Sequence, residues 1–269
     1  MPTPHTGLRH LWAGMLPVPR SPLSRRNLVA ETVLVLLLSL GASAIYSILD
    51  IMRRLSSTVS LGQQTSNLNT QEAPQTWLNL LYEMVQICLG VVPALLVCLL
   101  LGREIRSAVH YLGIDRTRPV ADLLLGMVLA ACIGLPGLAL YVGARDAGLN
   151  TTVIAADLGS HWWVVPVLVL SAVQNAVLEE TVMIGYLYTR WSQAGMRLWT
   201  VVVVSAVIRG SYHLYQGFGG FVGNIAMGVI LGSVYIRTRR VLPLIITHAI
   251  LDTVAFVGYA LLHSHVSWL

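Results

Sequence analysis

Seven long apolar runs, separated by short polar segments, constrain this chain more than any other feature. They cover residues 28–49, 77–101, 121–144, 163–189, 198–216, 219–236 and 241–262. A helix that crosses a bilayer needs about 20 apolar residues at 1.5 Å per residue. No water is available in the hydrocarbon core, so backbone N–H and C=O groups must pair within the segment, and a helix does this. The sequence therefore predicts an all-α, polytopic integral membrane bundle of about seven transmembrane helices. Composition agrees, with 55% hydrophobic residues, 11% charged residues and a mean hydropathy of +0.70. A soluble domain carries roughly a quarter charged residues. An ordinary soluble enzyme and a disordered chain are both excluded.

All 17 basic side chains are arginine. They fall between the apolar runs, so they read as membrane topology rather than as a nucleic-acid surface. With the N-terminus inside, the inner segments hold Arg9, Arg20, Arg25, Arg26, Arg103, Arg106, Arg116, Arg118, Arg190, Arg197, Arg237, Arg239 and Arg240. The outer segments hold only Arg53, Arg54 and Arg145. The expected partner is the lipid bilayer, with no nucleic acid. The expected location is a bacterial inner membrane with a cytoplasmic N-terminus. Residues 1–27 read as a basic, Pro-rich leader. Residues 28–144 read as three scaffold helices with a polar loop at 52–76, and residues 160–262 as a four-helix catalytic bundle. Cys88, Cys98 and Cys132 lie inside apolar runs without metal-ligand spacing and read as small buried hydrophobes.

A charged side chain near the bilayer centre costs at least about 2.5–3.5 kcal/mol on insertion scales. The last four runs nevertheless carry Glu179, Glu180, Arg209, His213, His248 and Asp252. Spacing of four places Arg209 with His213, His248 with Asp252, and Asn175 with Glu179, each pair on one helix face. Measured from the inner arginines, Glu180, Arg209, Asp252 and Asn224 lie roughly 15–20 Å deep. Four helices thus deliver polar groups to one slab near the midplane. Gly220, Asn224, Gly228 and Gly232 recur every fourth residue, a stripe that lets helices approach closely and turns Asn224 toward the bundle. Glu31 and Glu83 fall near span ends and read as interfacial. So do Tyr212, Tyr215 and Gln216, while Trp162 and Trp163 read as an aromatic belt.

Two carboxylates, two histidines and an arginine in a dry site point to hydrolysis or proton movement. A Glu paired with a His activates water as a general base, and a second His can hold an oxyanion. Alternatively, His213, His248 and Glu179 make a two-His, one-carboxylate site for a divalent metal such as zinc. There is no HExxH segment, no Gly-x-Ser-Gly ahead of a membrane His and no Gly-x-Gly-Asp. Three other intramembrane hydrolase signatures are therefore missing.

Residues 160–262 resemble the CAAX-protease and bacteriocin-processing family of intramembrane proteases, also called the Abi family. The resemblance rests on Glu179-Glu180 in Leu-Glu-Glu-Thr-Val-Met-Ile-Gly-Tyr, on His213 in Arg-Gly-Ser-Tyr-His-Leu-Tyr-Gln-Gly, and on His248 with Asp252 in Thr-His-Ala-Ile-Leu-Asp. It implies an endopeptidase acting on a membrane-associated or lipidated protein. In that reading Glu179 and His213 activate water, and His248 with residue 252 steadies the oxyanion. The family is often described as metalloprotease, although a metal-free glutamate mechanism suits these residues as well.

Two positions depart from the pattern. The family usually has Arg four residues after the second Glu, where this chain has Ile184, and Phe four before the first His, where it has Arg209. The expectation is that Arg209 supplies the guanidinium from the neighbouring helix. Asp252, if ionised, cannot donate a hydrogen bond to an oxyanion. It is left to orient His248, to carry a proton or to bind a metal. Two readings outside proteolysis also stand: a non-enzymatic immunity or scaffold protein that keeps the fold, and a proton-coupled transporter. Polar residues confined to the C-terminal half disfavour the transporter, which would more often show two related halves.

Overall fold

The computed structural model describes residues 16–263 and 265, so Arg9 and most of the leader lie outside the described residues. Its helices are α1 (Arg25–Leu37), α2 (Leu40–Leu55), α3 (Thr76–Gly90), α4 (Val92–Gly102), α5 (Ala108–Tyr111) and α6 (Pro119–Asp146). They continue as α7 (Val164–Glu179), α8 (Leu187–Gln193), α9 (Leu198–Tyr212), α10 (Phe218–Thr238) and α11 (Leu242–Leu262). A π-helical segment, Glu180–Tyr186, joins α7 to α8 without a break. Five stretches are long and apolar enough to cross a membrane: Thr76–Gly102, Pro119–Asp146, Val164–Gln193, Phe218–Thr238 and Leu242–Leu262. A sixth is added if α1 and α2, bent by 58° at their junction, count as one span. The chain is a helical integral membrane protein. The expected first run is thus a broken pair, and the expected fifth, α9, has only 15 residues.

Helix α9 is short for a physical reason. Fifteen residues rise roughly 22 Å, less than the roughly 30 Å hydrocarbon core. Irregular backbone at that depth is tolerated only where protein buries it. The chain after Tyr212 is so covered. The 52–76 stretch, expected as an unstructured loop, carries β1 (Thr65–Asn67), which pairs in parallel with β2 (Thr152–Ile154). This small ribbon lies over the turn at 213–217. Ser66 Oγ donates to Tyr215 O at 2.9 Å, and Thr151 N donates to Gln216 O at 2.9 Å. From α2, Ser47 Oγ accepts from Tyr215 N at 2.6 Å. Gly217 enters α10 at φ 112°, and a Cβ there would sit 2.5 Å from Leu149 O, so glycine is required.

At the opposite end the arginine-bearing segments meet. Arg240 pairs with Asp122 and Asp115, and Val241 N donates to Leu112 O. Thr117 donors and the Arg240 guanidinium hold the Asp115 carboxyl well below the usual carboxylate range. Arg190, fully buried, donates to Glu31 Oε1 and Glu104 Oε2, each at 2.8 Å. Glu31 is therefore tied into the helix packing rather than left at an interface, and Glu83 is buried too. Trp162 is 86% exposed, as a belt residue would be, but Trp163 is buried in a small apolar cluster. Cys88 and Cys132 are exposed rather than buried.

The main core lies where the π segment and α8 pass between α4, α9, α10 and α11. The glycine stripe on α10 permits this packing. A Cβ on Gly228 would fall 3.0 Å from Ala206 Cα and 3.3 Å from Arg209 Cδ, and one on Gly232 would meet the Tyr188 hydroxyl.

Candidate active site

Glu179 is the last residue of α7 and Glu180 the first of the π segment. Neighbouring residues on a helix point about 100° apart, so the two carboxylates address different helices. The switch to i→i+5 bonding begins at Glu180, and π segments of this kind often mark functional sites. Ser205 on α9 braces the segment by donating to Met183 O at 2.9 Å.

Glu180 is completely buried. Its Oε1 accepts from Arg209 Nη2 at 2.7 Å and lies 2.8 Å from His248 Nδ1. Arg209, on α9, is 1% exposed and turns its other terminal nitrogen, Nη1, to Glu179 Oε2 at 3.4 Å. A buried carboxylate is costly unless paired and hydrogen-bonded, and the guanidinium supplies both. His248, on α11, therefore stands between two carboxylates: Glu180 on its Nδ1 side and Asp252 Oδ2, 3.6 Å from Nε2. The last distance is an ion-pair contact rather than a hydrogen bond. Asn175, one turn before Glu179, lies near Asp252.

Every bond to Glu179 among the described residues reaches Oε2. Tyr212 donates its phenol to that oxygen at 2.6 Å, and His213 Nε2 lies 3.9 Å from it. The sequence spacing placed His213 on the Arg209 face of a helix. In the structure α9 stops at Tyr212, and His213 is the C-cap, with φ −101° and ψ 2°. Leaving the helix there lets Tyr212 and His213, adjacent in sequence, both face one carboxylate. Their rings lie 4.8 Å apart. Tyr212 is thus buried, at 5% exposure, and not interfacial. The only sequence signal for it was the polar run Tyr-His-Leu-Tyr-Gln-Gly closing an apolar helix.

Both ring nitrogens of His213, Glu180 Oε2 and Arg209 Nη1 are buried without a hydrogen-bond partner among the described residues. Buried polar groups of a folded chain are nearly always paired, so four such atoms in one place point to a site built for something polar. Asn224 does not join the cluster by any hydrogen bond among the described residues. Its amide donates to Gly220 O, one turn back on its own helix, at 3.0 Å.

Among the described residues one group of three could hold a metal ion: Glu179, Glu180 and His248, whose ligand atoms all lie within 4.8 Å of one another. His213 is outside it, so the geometry does not bring together the trio expected from the sequence. The donors suit a divalent ion by type, and an ion held there would supply Lewis-acid activation of water. It would share both carboxylates with the fixed guanidinium of Arg209.

Residues 161–254 match the family model described as Type II CAAX prenyl endopeptidase Rce1-like. No curated protein and no solved structure matches the chain. The matched segment runs from α7 to the middle of α11 and contains all six clustered ionisable residues. Over this segment the chain is similar to that family of prenyl endopeptidases.

Proposed function

We propose that this chain is a CAAX-protease-like intramembrane endopeptidase that hydrolyses a peptide bond of a membrane-associated or lipidated protein. The observation that carries the proposal is the pairing of Glu179 with His213. A buried carboxylate and a half-buried imidazole stand 3.9 Å apart on separate elements, and neither ring nitrogen has a hydrogen-bond partner among the described residues. That is the constellation of a general base with its partner. In this reading the two take a proton from water. The water oxygen bonds to the carbonyl carbon, and the proton passes to the leaving amine as the C–N bond breaks. His248 offers Nε2–H to the oxyanion of the tetrahedral intermediate. Glu180, itself held by Arg209, holds His248 through Nδ1, and Asp252 orients the same ring.

Arg209 takes the part of the arginine missing at position 184. The 2.7 Å bond to Glu180 supports this exchange. The metal-free form of the mechanism is preferred because the protein's own side chains, Arg209 with His248 on Glu180 and Tyr212 on Glu179, already occupy the two carboxylates an ion would need. The arginine distribution supports a cytoplasmic N-terminus, with residues 213–217 toward the outer face of a bacterial inner membrane.

The test is N-terminal proteomics on membranes from cells carrying the wild-type chain or Glu179→Gln at matched expression. New protein N-termini that vanish in the variant are expected. Identical N-termini in both strains would overturn the proposal in favour of a non-enzymatic protein that keeps the fold. A peptide spanning the cleavage point then separates the two chemistries: 1,10-phenanthroline and EDTA should leave hydrolysis unchanged, and their inhibition would favour a metal at Glu179, Glu180 and His248.

A further inference from the structure

We infer that Tyr212 is a positioning residue for Glu179, setting which carboxylate oxygen accepts the proton of the attacking water. The inference rests on the proposed proteolysis and adds a residue to that site.

The geometry is asymmetric. Oε2 of Glu179 receives the Tyr212 phenol at 2.6 Å, faces Arg209 Nη1 at 3.4 Å and His213 Nε2 at 3.9 Å. No described residue bonds Oε1. A carboxylate pinned through one oxygen cannot rotate freely about its terminal torsion, so the other oxygen points in one fixed direction. A phenol donating to a carboxylate makes a charge-assisted bond, the stronger class. The bond also joins the two halves of the base. Tyr212 is contiguous with His213, so its phenol anchors the end of α9 to Glu179 and sets the distance from carboxylate to imidazole. Arg209 cannot do this alone, because its short contact goes to Glu180 and its approach to Glu179 is longer than a hydrogen bond.

Packing is the rival role, since the Tyr212 ring belongs to the main apolar core. Tyr212→Phe separates the two, because it keeps the ring and removes only the donor. With the purified full-length protein in detergent and a peptide from a mapped cleavage point, kcat in Tyr212→Phe should fall about tenfold to a hundredfold, the size of one bond to a charged group. KM and the apparent unfolding temperature should stay near the wild-type values. Tyr212→Leu should lose both activity and thermal stability, as core truncation does. A Tyr212→Phe protein with wild-type kcat would overturn the inference while leaving the protease reading intact. So would a fall in kcat that tracks lost thermal stability. A wild-type protein that cleaves no membrane substrate would overturn the protease reading, and this inference with it.

Discussion

At the scale of single residues, Arg209 is the residue proposed to stand in for the arginine missing at position 184. A guanidinium at 1% exposure is retained only if it is paired, and it bonds Glu180, which is itself fully buried. Removing one partner of such a pair strands the other. Arg209→Ala should therefore lose at least a hundredfold in kcat/KM. Ile184→Arg alone should destabilise the fold, because it adds a cation to a buried apolar core position. Arg209→Phe combined with Ile184→Arg should recover part of the activity, measured as peptide cleavage by protein that unfolds at a normal temperature. An inactive but well-folded double variant would count against the exchange. The identity of these residues and their order were legible in the sequence. Tyr212 was not, because its place at the end of an apolar run reads as interfacial, and only the tertiary structure, which brings the end of α9 to the end of α7, shows that its phenol meets Glu179.

Helix ends explain most of the site at the scale of elements. The π segment starts at the Glu pair, and α9 stops one residue before His213. Both features were hidden by apolar runs that continue past them, since hydropathy records burial and not the register of hydrogen bonds. The start of α10 is set from far away in sequence. Asn150 Oδ1, buried, accepts from Gly219 N at 2.8 Å and Gly220 N at 3.2 Å, capping the helix from another segment. Losing a cap of this kind costs typically about 1 kcal/mol. Asn150→Ala should lower the apparent unfolding temperature and also reduce kcat, because Asn150 adjoins the ribbon that holds the turn carrying His213. A loss of stability with no change in kcat would show that the turn keeps its place without the cap.

The whole molecule is tied at both ends. At the arginine-rich end, buried Arg190 joins α1 through Glu31, the segment after α4 through Glu104, and Gln193 of its own helix, while Tyr186 also donates to Glu31. Arg190→Leu would leave Glu104 and Glu31 without their cation. Breaking a buried pair costs about 3–5 kcal/mol. Thermal unfolding in detergent should show the loss, and activity in folded protein should change less than in Arg209→Ala, because this cluster touches no residue of the site. By itself the sequence determined that this chain is a helical membrane protein. It also determined which runs are apolar, and that six ionisable residues fall within the last four of them. Period, length and the cost of burying charge are local quantities that a linear chain displays. Only the tertiary structure decided who meets whom. It joined His248 to Glu180 across 68 positions, turned Tyr212 onto Glu179, and left Asn224 bonded to its own helix. Pairing across helices depends on where each helix bends, widens or stops, and those points are set by backbone hydrogen bonds to distant segments.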